Sequence, residues 1–264
     1  FVEPGERVVT TGMEHNAVMR PLRALEAAGV SLTVVPCGGD GSLDPEDMYR
    51  ALEEKTDLVV MTAASNVTGT IMPVREVGLT ARDRGIPFMV DAAQAGGVVS
   101  LDMKKDCIDF LAFTGHKSLY GPTGTGGLVF GERIKDDALR PLVEGGTGSR
   151  SDEEYQPLFF PDRFESGTPN GAGIAGLGAA LRWLEIEGTD SLLDRERGLT
   201  SRLTEGLSSI PGITLYGPGD TDRRIGVVSF TLDGLEVSEA GAILEEEFGI
   251  VTRVGLHCAP ASHK

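Results

Sequence analysis

The chain has 264 residues, 40% hydrophobic and 24% charged, which is ordinary globular usage and enough length for one or two domains. Forty acidic against 24 basic residues leave a formal charge of -16, which repels nucleic acid and anionic membrane surfaces, so neither is expected as a partner. Three widely spaced cysteines, Cys37, Cys107 and Cys258, argue against a disulfide framework and against a zinc site, so no metal is expected and a reducing, cytoplasmic setting fits best.

Residues 7–11 read as a short strand, and residues 16–28 as a helix with Val18, Leu22 and Leu25 at helical spacing. His15 stands just before that helix. A strand at 32–36 closes in the glycine turn Cys37-Gly38-Gly39-Asp40-Gly41. Residues 45–55 follow as a helix with a proline in its first turn. The run DLVVMTAASNVTGT, residues 57–70, is an apolar strand ending in Ser65-Asn66-Val67-Thr68-Gly69. Residues 74–85 read as a covering helix, and PFMVDAAQAGG, 87–97, as a strand that ends at Asp91 and continues in small residues. An aspartate at the carboxyl end of a buried strand lies where ligands bind in α/β sheets.

The stretch FLAFTGHKSLYGPTGTGG, 110–127, gives a strand, a corner at Thr114-Gly115-His116-Lys117 and a hairpin return over 126–130. The alternation of strand and helix up to Lys117 predicts an α/β fold with a mostly parallel sheet flanked by helices. Three strands then carry Asn66, Asp91 and Lys117 to one edge of that sheet. A lysine drawn inside at such a corner has a lowered pKa and becomes a nucleophilic amine, whereas the ordinary alternative is an exposed loop lysine.

Beyond the hairpin, VEGGTGSRS at 143–151 is a loop whose glycines permit close backbone approach. A long apolar helix at 174–186 carries Trp183, the single tryptophan, and closes a large first domain, residues 1–188. The remainder, 189–264, reads as a smaller α+β domain. Its expected elements are a helix at 192–207, strands at 213–216 and 226–232, a helix at 237–248 and a strand at 250–253.

Seven segments in this order resemble a known family. They are Glu14-His15-Asn16, Ser65 to Gly69, Val90-Asp91-Ala92-Ala93-Gln94, Thr114 to Lys117, Gly121-Pro122-Thr123-Gly124, Arg163-Phe164-Glu165 with Gly167-Thr168-Pro169-Asn170, and Arg253-Val254-Gly255-Leu256-His257-Cys258-Ala259. Together they resemble the class V aminotransferase branch of the fold type I pyridoxal-phosphate enzymes, which holds the cysteine desulfurases and selenocysteine lyases. The resemblance covers nearly the whole chain. It implies a cofactor, pyridoxal 5'-phosphate, bound covalently by Lys117 as a Schiff base. Asp91 would stabilise the protonated ring nitrogen, His15 would stack on the ring and join the proton transfers, and Gln94 would bond the ring hydroxyl oxygen. Asn66 would help on that side of the ring and meet the substrate. Thr114 and His116 resemble phosphate ligands, and Thr147 resembles a residue that reaches a partner subunit's phosphate, which implies a homodimer. For His15, Asn66 and Gln94, plain capping and turn roles remain open, as a surface loop does for Thr147.

Cys258 decides the reaction implied. Its surroundings resemble the second desulfurase group, with Leu256 where a histidine is often seen, and the thiol would attack the sulfur of bound cysteine and leave as a persulfide. Arg253 would orient this loop or meet substrate, and an incidental thiol is the alternative. The implied activity is conversion of L-cysteine to L-alanine, with sulfur passed to an acceptor protein. Selenocysteine lyase or another class V aminotransferase or lyase stays open among enzymes. A non-catalytic sulfur-relay or scaffold subunit stays open outside them. Compared with the family, the chain is expected to lack an N-terminal segment bearing a phosphate-binding turn and a C-terminal segment bearing a carboxylate-binding arginine. Such a shortened chain is expected to hold cofactor weakly.

Overall fold

A computed structural model describes residues 1–135 and 139–263; residues 136–138 and 264, which fall inside the two expected domains, lie outside the described residues. Six strands form the main sheet: β1 (Arg7–Thr11), β2 (Ser31–Val35), β3 (Leu58–Thr62), β4 (Phe88–Asp91), β5 (Phe110–Thr114) and β6 (Gly126–Phe130). Their spatial order is β2-β1-β3-β4-β5-β6. All pairings are parallel except that of β5 with β6. The crossovers include α1 (Asn16–Ala27), α2 (Pro45–Ala51) and α3 (Val74–Asp83).

The central strands are apolar throughout because both faces are covered. Val9, Val59, Met61, Phe88 and Val90 pack with Met48 of α2 and with Val74 and Val77 of α3. Their sequence neighbours Val8, Leu58 and Val60 point the other way and pack with Leu22 of α1. Burying each such side chain contributes about 1.5–3 kcal/mol, so the sheet is the rigid element on which the loops at its carboxyl edge are mounted.

α3 rests so closely on the turn before β5 that a Cβ on Gly78 would lie 1.9 Å from the carbonyl oxygen of Asp106. Gly78→Ala is therefore expected to lower stability by ~1–3 kcal/mol, as overpacking does, read as a lower urea midpoint. A midpoint equal to the wild type would mean that this contact yields freely.

Local ends depart from the sequence reading where distant groups intervene. Asp44 caps α2 through the Glu46 N–H at 3.0 Å, as its type favours. The helix nevertheless stops at Ala51, short of the expected 55, because Leu52 turns into the core and the guanidinium of Arg7 takes the Ala51 carbonyl at 2.9 Å.

The C-terminal part holds α4 (Gly171–Glu187), α5 (Thr189–Ser208), an antiparallel pair β7 (Ile213–Tyr216) and β8 (Ser229–Leu232), and α6 (Val237–Phe248). α6 ends on Gly249 at φ 66°, a left-handed stop that glycine supplies at low cost. β8 begins at Ser229 and not at 226. The preceding backbone is engaged elsewhere: Ile225 N–H donates to the Gly69 carbonyl at 2.9 Å, and the Arg224 guanidinium spans the carbonyls of Pro218, Thr68 and Val227. Ile225 itself is buried in the main core, tying the C-terminal part to the sheet. The strand expected at 250–253 does not form, for among the described residues that segment has no ladder partner.

Candidate active site

The carboxyl ends of β3, β4 and β5 set the first residues by register. Asp91 lies opposite Thr62 on one side and Ala112 on the other. One of its carboxylate oxygens, Oδ1, accepts the Ala93 N–H at 2.8 Å, which fixes the side chain at the strand end. Three residues beyond β5, Lys117 follows a corner held by Gly115 N–H to the Thr125 carbonyl and Gly121 N–H to the Gly115 carbonyl. Gly115 is required there, since a Cβ would meet Thr125 Oγ1 at 2.1 Å. Inside that corner Thr114 Oγ1 and His116 Nδ1 are 2.9 Å apart.

Lys117 is exposed and not drawn inside as expected. Its ammonium pKa is nonetheless lowered, first by partial desolvation and further by Arg253, with Asp91 opposing. His15 is likewise held below its usual range, by desolvation and then by Lys117, again with Asp91 opposing. His15, Lys117, Asp91 and Arg253 thus lie within electrostatic reach of one another. His15 caps α1, its Nδ1 accepting the Ala17 N–H at 3.0 Å. The proton of its neutral ring is therefore assigned to Nε2.

Cys258 comes to the same place from the other end of the sequence. Its backbone carbonyl accepts the Asn16 N–H at 2.7 Å, one residue from His15. Arg253 Nη2 lies 3.1 Å from its sulfur, so Arg253 touches the thiol directly. His257 is held below its usual pKa by burial, Arg253 and His263, leaving it neutral, and Arg253 is the positive group at the sulfur. Asn66 donates its side-chain N–H to the His257 carbonyl at 2.7 Å. Together with Gln94, Arg253 and His257 it lines a cleft of about 1360 Å³ between the turn after β2 and the β7–β8–α6 layer. Thr147 stands apart in a local network, 3.0 Å from Ser149 Oγ, which in turn donates to Asp162 at 2.6 Å.

Glu14 is the buried group that sequence reasoning passed over. It is completely buried, and Oε1 accepts from Thr11 Oγ1 at 2.7 Å and from the Thr62 N–H at 3.0 Å. Its other oxygen, Oε2, is a buried atom without a hydrogen-bond partner among the described residues. Burial is the main cause that pushes its pKa up to about 8, with Asp91 adding to the rise. The available signal was a carboxylate wedged between a buried strand and a helix cap, a position rarely given to an exposed glutamate.

Residues 1–264 match the family described as aminotransferase class-V. A cysteine desulfurase of Pectobacterium atrosepticum is 37% identical over 263 residues, covering 98% of this chain and 63% of that protein. A probable cysteine desulfurase of Pyrococcus abyssi is 38% identical over 259 residues, covering 97% and 63%. Among solved structures, the apo cysteine desulfurase of Thermococcus onnurineus NA1 aligns with a TM-score of 0.89 at 36% identity, over 99% of this chain and 65% of that one. A cysteine desulfurase of Escherichia coli aligns with a TM-score of 0.85 at 28% identity, over 99% and 64%. The chain thus spans about 63% of the length of the curated relatives it matches.

Proposed function

The chain belongs to the class V aminotransferase family, and from that premise we propose that its protein is a pyridoxal-phosphate-dependent cysteine desulfurase, converting L-cysteine to L-alanine with the sulfur taken up by Cys258. The observation that carries this reading is the convergence on one sheet edge of a lysine with lowered pKa, a strand-end carboxylate, a neutral imidazole and an arginine-held thiol.

The donor set fits the cofactor. Asp91 would hold the proton on the ring nitrogen, His15 would lie against the ring, Gln94 and Asn66 would meet its hydroxyl side, and Thr114 with His116 would donate to the phosphate. Bound through Lys117, the cofactor supplies an electron sink for the substrate carbon. Lys117 Nζ, whose pKa partial desolvation lowers, would be the group that gives and takes the proton at the substrate carbon. Cys258 Sγ forms an S–S bond to the substrate sulfur while the C–S bond breaks. The electron pair stays with the carbon, which takes up a proton to become the methyl group of alanine. Asn66 and Arg253, which line the cleft, would meet the substrate there.

The same reading extends to assembly and setting. It comprises a homodimer in which Thr147 of one protomer serves the other's phosphate, a sulfur-accepting partner protein and a cytoplasmic location. Residues 1–188 are the cofactor-binding unit and 189–264 the smaller one. No helix among the described residues is long and apolar enough to cross a membrane.

Borohydride reduction of the full-length protein loaded with pyridoxal phosphate is expected to fix the label on Lys117, located by peptide mass spectrometry. Lys117→Ala is expected to abolish both label and turnover. Label recovered on another lysine, or conversion of other amino acids with none of cysteine, would overturn the assignment.

A further inference from the structure

The loop that carries Cys258 is strained. Gly255, His257 and Cys258 have φ of 95°, 50° and 57°, and for the two non-glycine residues this left-handed region is unfavourable enough to persist only where the surroundings impose it. Two hydrogen bonds from the N-terminal half supply that imposition. The Asn16 N–H, a first-turn donor of α1 that its own helix cannot satisfy, takes the Cys258 carbonyl at 2.7 Å. Asn66 Nδ2 takes the His257 carbonyl at 2.7 Å from 191 positions away in sequence. Beyond the thiol, Ala259 is completely buried and its N–H returns to the Leu256 carbonyl at 2.9 Å.

Asn66 is itself well placed to hold. Ser65 Oγ accepts the N–H groups of Val67 and Thr68 at 3.1 and 3.2 Å, which fixes the turn on either side of the asparagine. We propose that Asn66 is a positioning residue for the nucleophile, whose amide latches the His257–Cys258 peptide in its strained conformation and so keeps Sγ beside Arg253. This deepens the desulfurase reading, on which its functional meaning rests, but the latch itself is a property of the fold.

Hydrogen exchange in the full-length protein tests it without turnover. In Asn66→Ala, and in Asn66→Asp, which keeps the shape but removes the donor, the amides of Asn16 and Ala259 are expected to exchange roughly 5- to 10-fold faster, the effect of one lost hydrogen bond on a local opening. Amides of β3 serve as the reference and are expected to stay unchanged. His257→Gly relieves the strain while retaining the latch, since glycine takes positive φ readily. It is expected to slow exchange at the same two amides. Unchanged exchange at Asn16 and Ala259 in the Asn66 variants overturns the latch. So does a His257→Gly variant that exchanges as fast as the wild type or faster, a result that stays readable even if the Asn66 variants loosen the whole sheet. A working latch in a protein that makes no alanine would discard the desulfurase reading and leave the latch standing.

Discussion

Full-length enzyme carrying Cys258→Ala is expected to retain borohydride-trapped cofactor on Lys117 while alanine formation from cysteine falls by at least about two orders of magnitude, as loss of a covalent nucleophile does. The two halves of that result come from different parts of the molecule. Lys117, Asp91 and His15 sit on the carboxyl edge of the main sheet and around the N-terminus of α1, whereas Cys258 is bonded to Arg253 through its sulfur and to Asn16 through its backbone carbonyl. On the proposed reading, removing the sulfur would leave the residues assigned to the cofactor untouched and would take away only the group assigned to breaking the C–S bond. Selenocysteine is expected to be less affected, since selenium departs more readily and need not pass through a protein thiol. Alanine released from cysteine at the wild-type rate would make Cys258 structural, and a lyase or aminotransferase activity would replace the desulfurase.

What was legible in the sequence follows from how local each signal is. β3 could be read because a parallel strand covered on both faces is a continuous apolar run, LVVMT, and β6 because it returns from β5 as a hairpin. The end of α2 could not, because it depends on Arg7, which lies 44 positions away when it takes the Ala51 carbonyl. β8 and the segment 250–253 failed for a related reason: β propensity does not choose a partner, and Arg224 had already committed the backbone near 227 to other contacts. At the site, Asp91 and Lys117 were readable as residues closing strands. The direction of the Asn66 amide was not, since only the folded chain brings His257 to it. The interior position expected for Lys117 was wrong about exposure, although the lowered pKa expected from it is present. Thr147, read from a resemblance of its loop, lies in a network of its own with Ser149.

Glu14 yields the other large effect, and its sign runs against the common behaviour of carboxylates. A paired surface carboxylate has a depressed pKa and loses its stabilising charge as pH falls. Glu14 instead has a pKa raised from 4.5 to about 8, because burial disfavours its anion more than Thr11 and the Thr62 N–H can offset. Between those two values the folded protein keeps a proton that the unfolded chain releases, so its contribution is fully present below about pH 4.5 and is lost as pH rises through about 8. Each pH unit inside that window is worth at most about 1.4 kcal/mol. Glu14→Gln is neutral at every pH and keeps an acceptor oxygen for Thr11 and Thr62. From urea unfolding at pH 5 and pH 8, its stability is therefore expected to improve relative to the wild type by roughly 2–4 kcal/mol across the interval. Ionising Glu14 would also set a second negative charge near Asp91 and oppose ionisation of the Cys37 thiol, already pushed up to about 11 chiefly by burial. Holding Glu14 neutral leaves Asp91 as the negative group opposite Lys117 and His15. Parallel stability profiles for the two proteins would mean that the carboxyl is ionised in the fold, and the unpartnered Oε2 would then need a cation or solvent path to account for it.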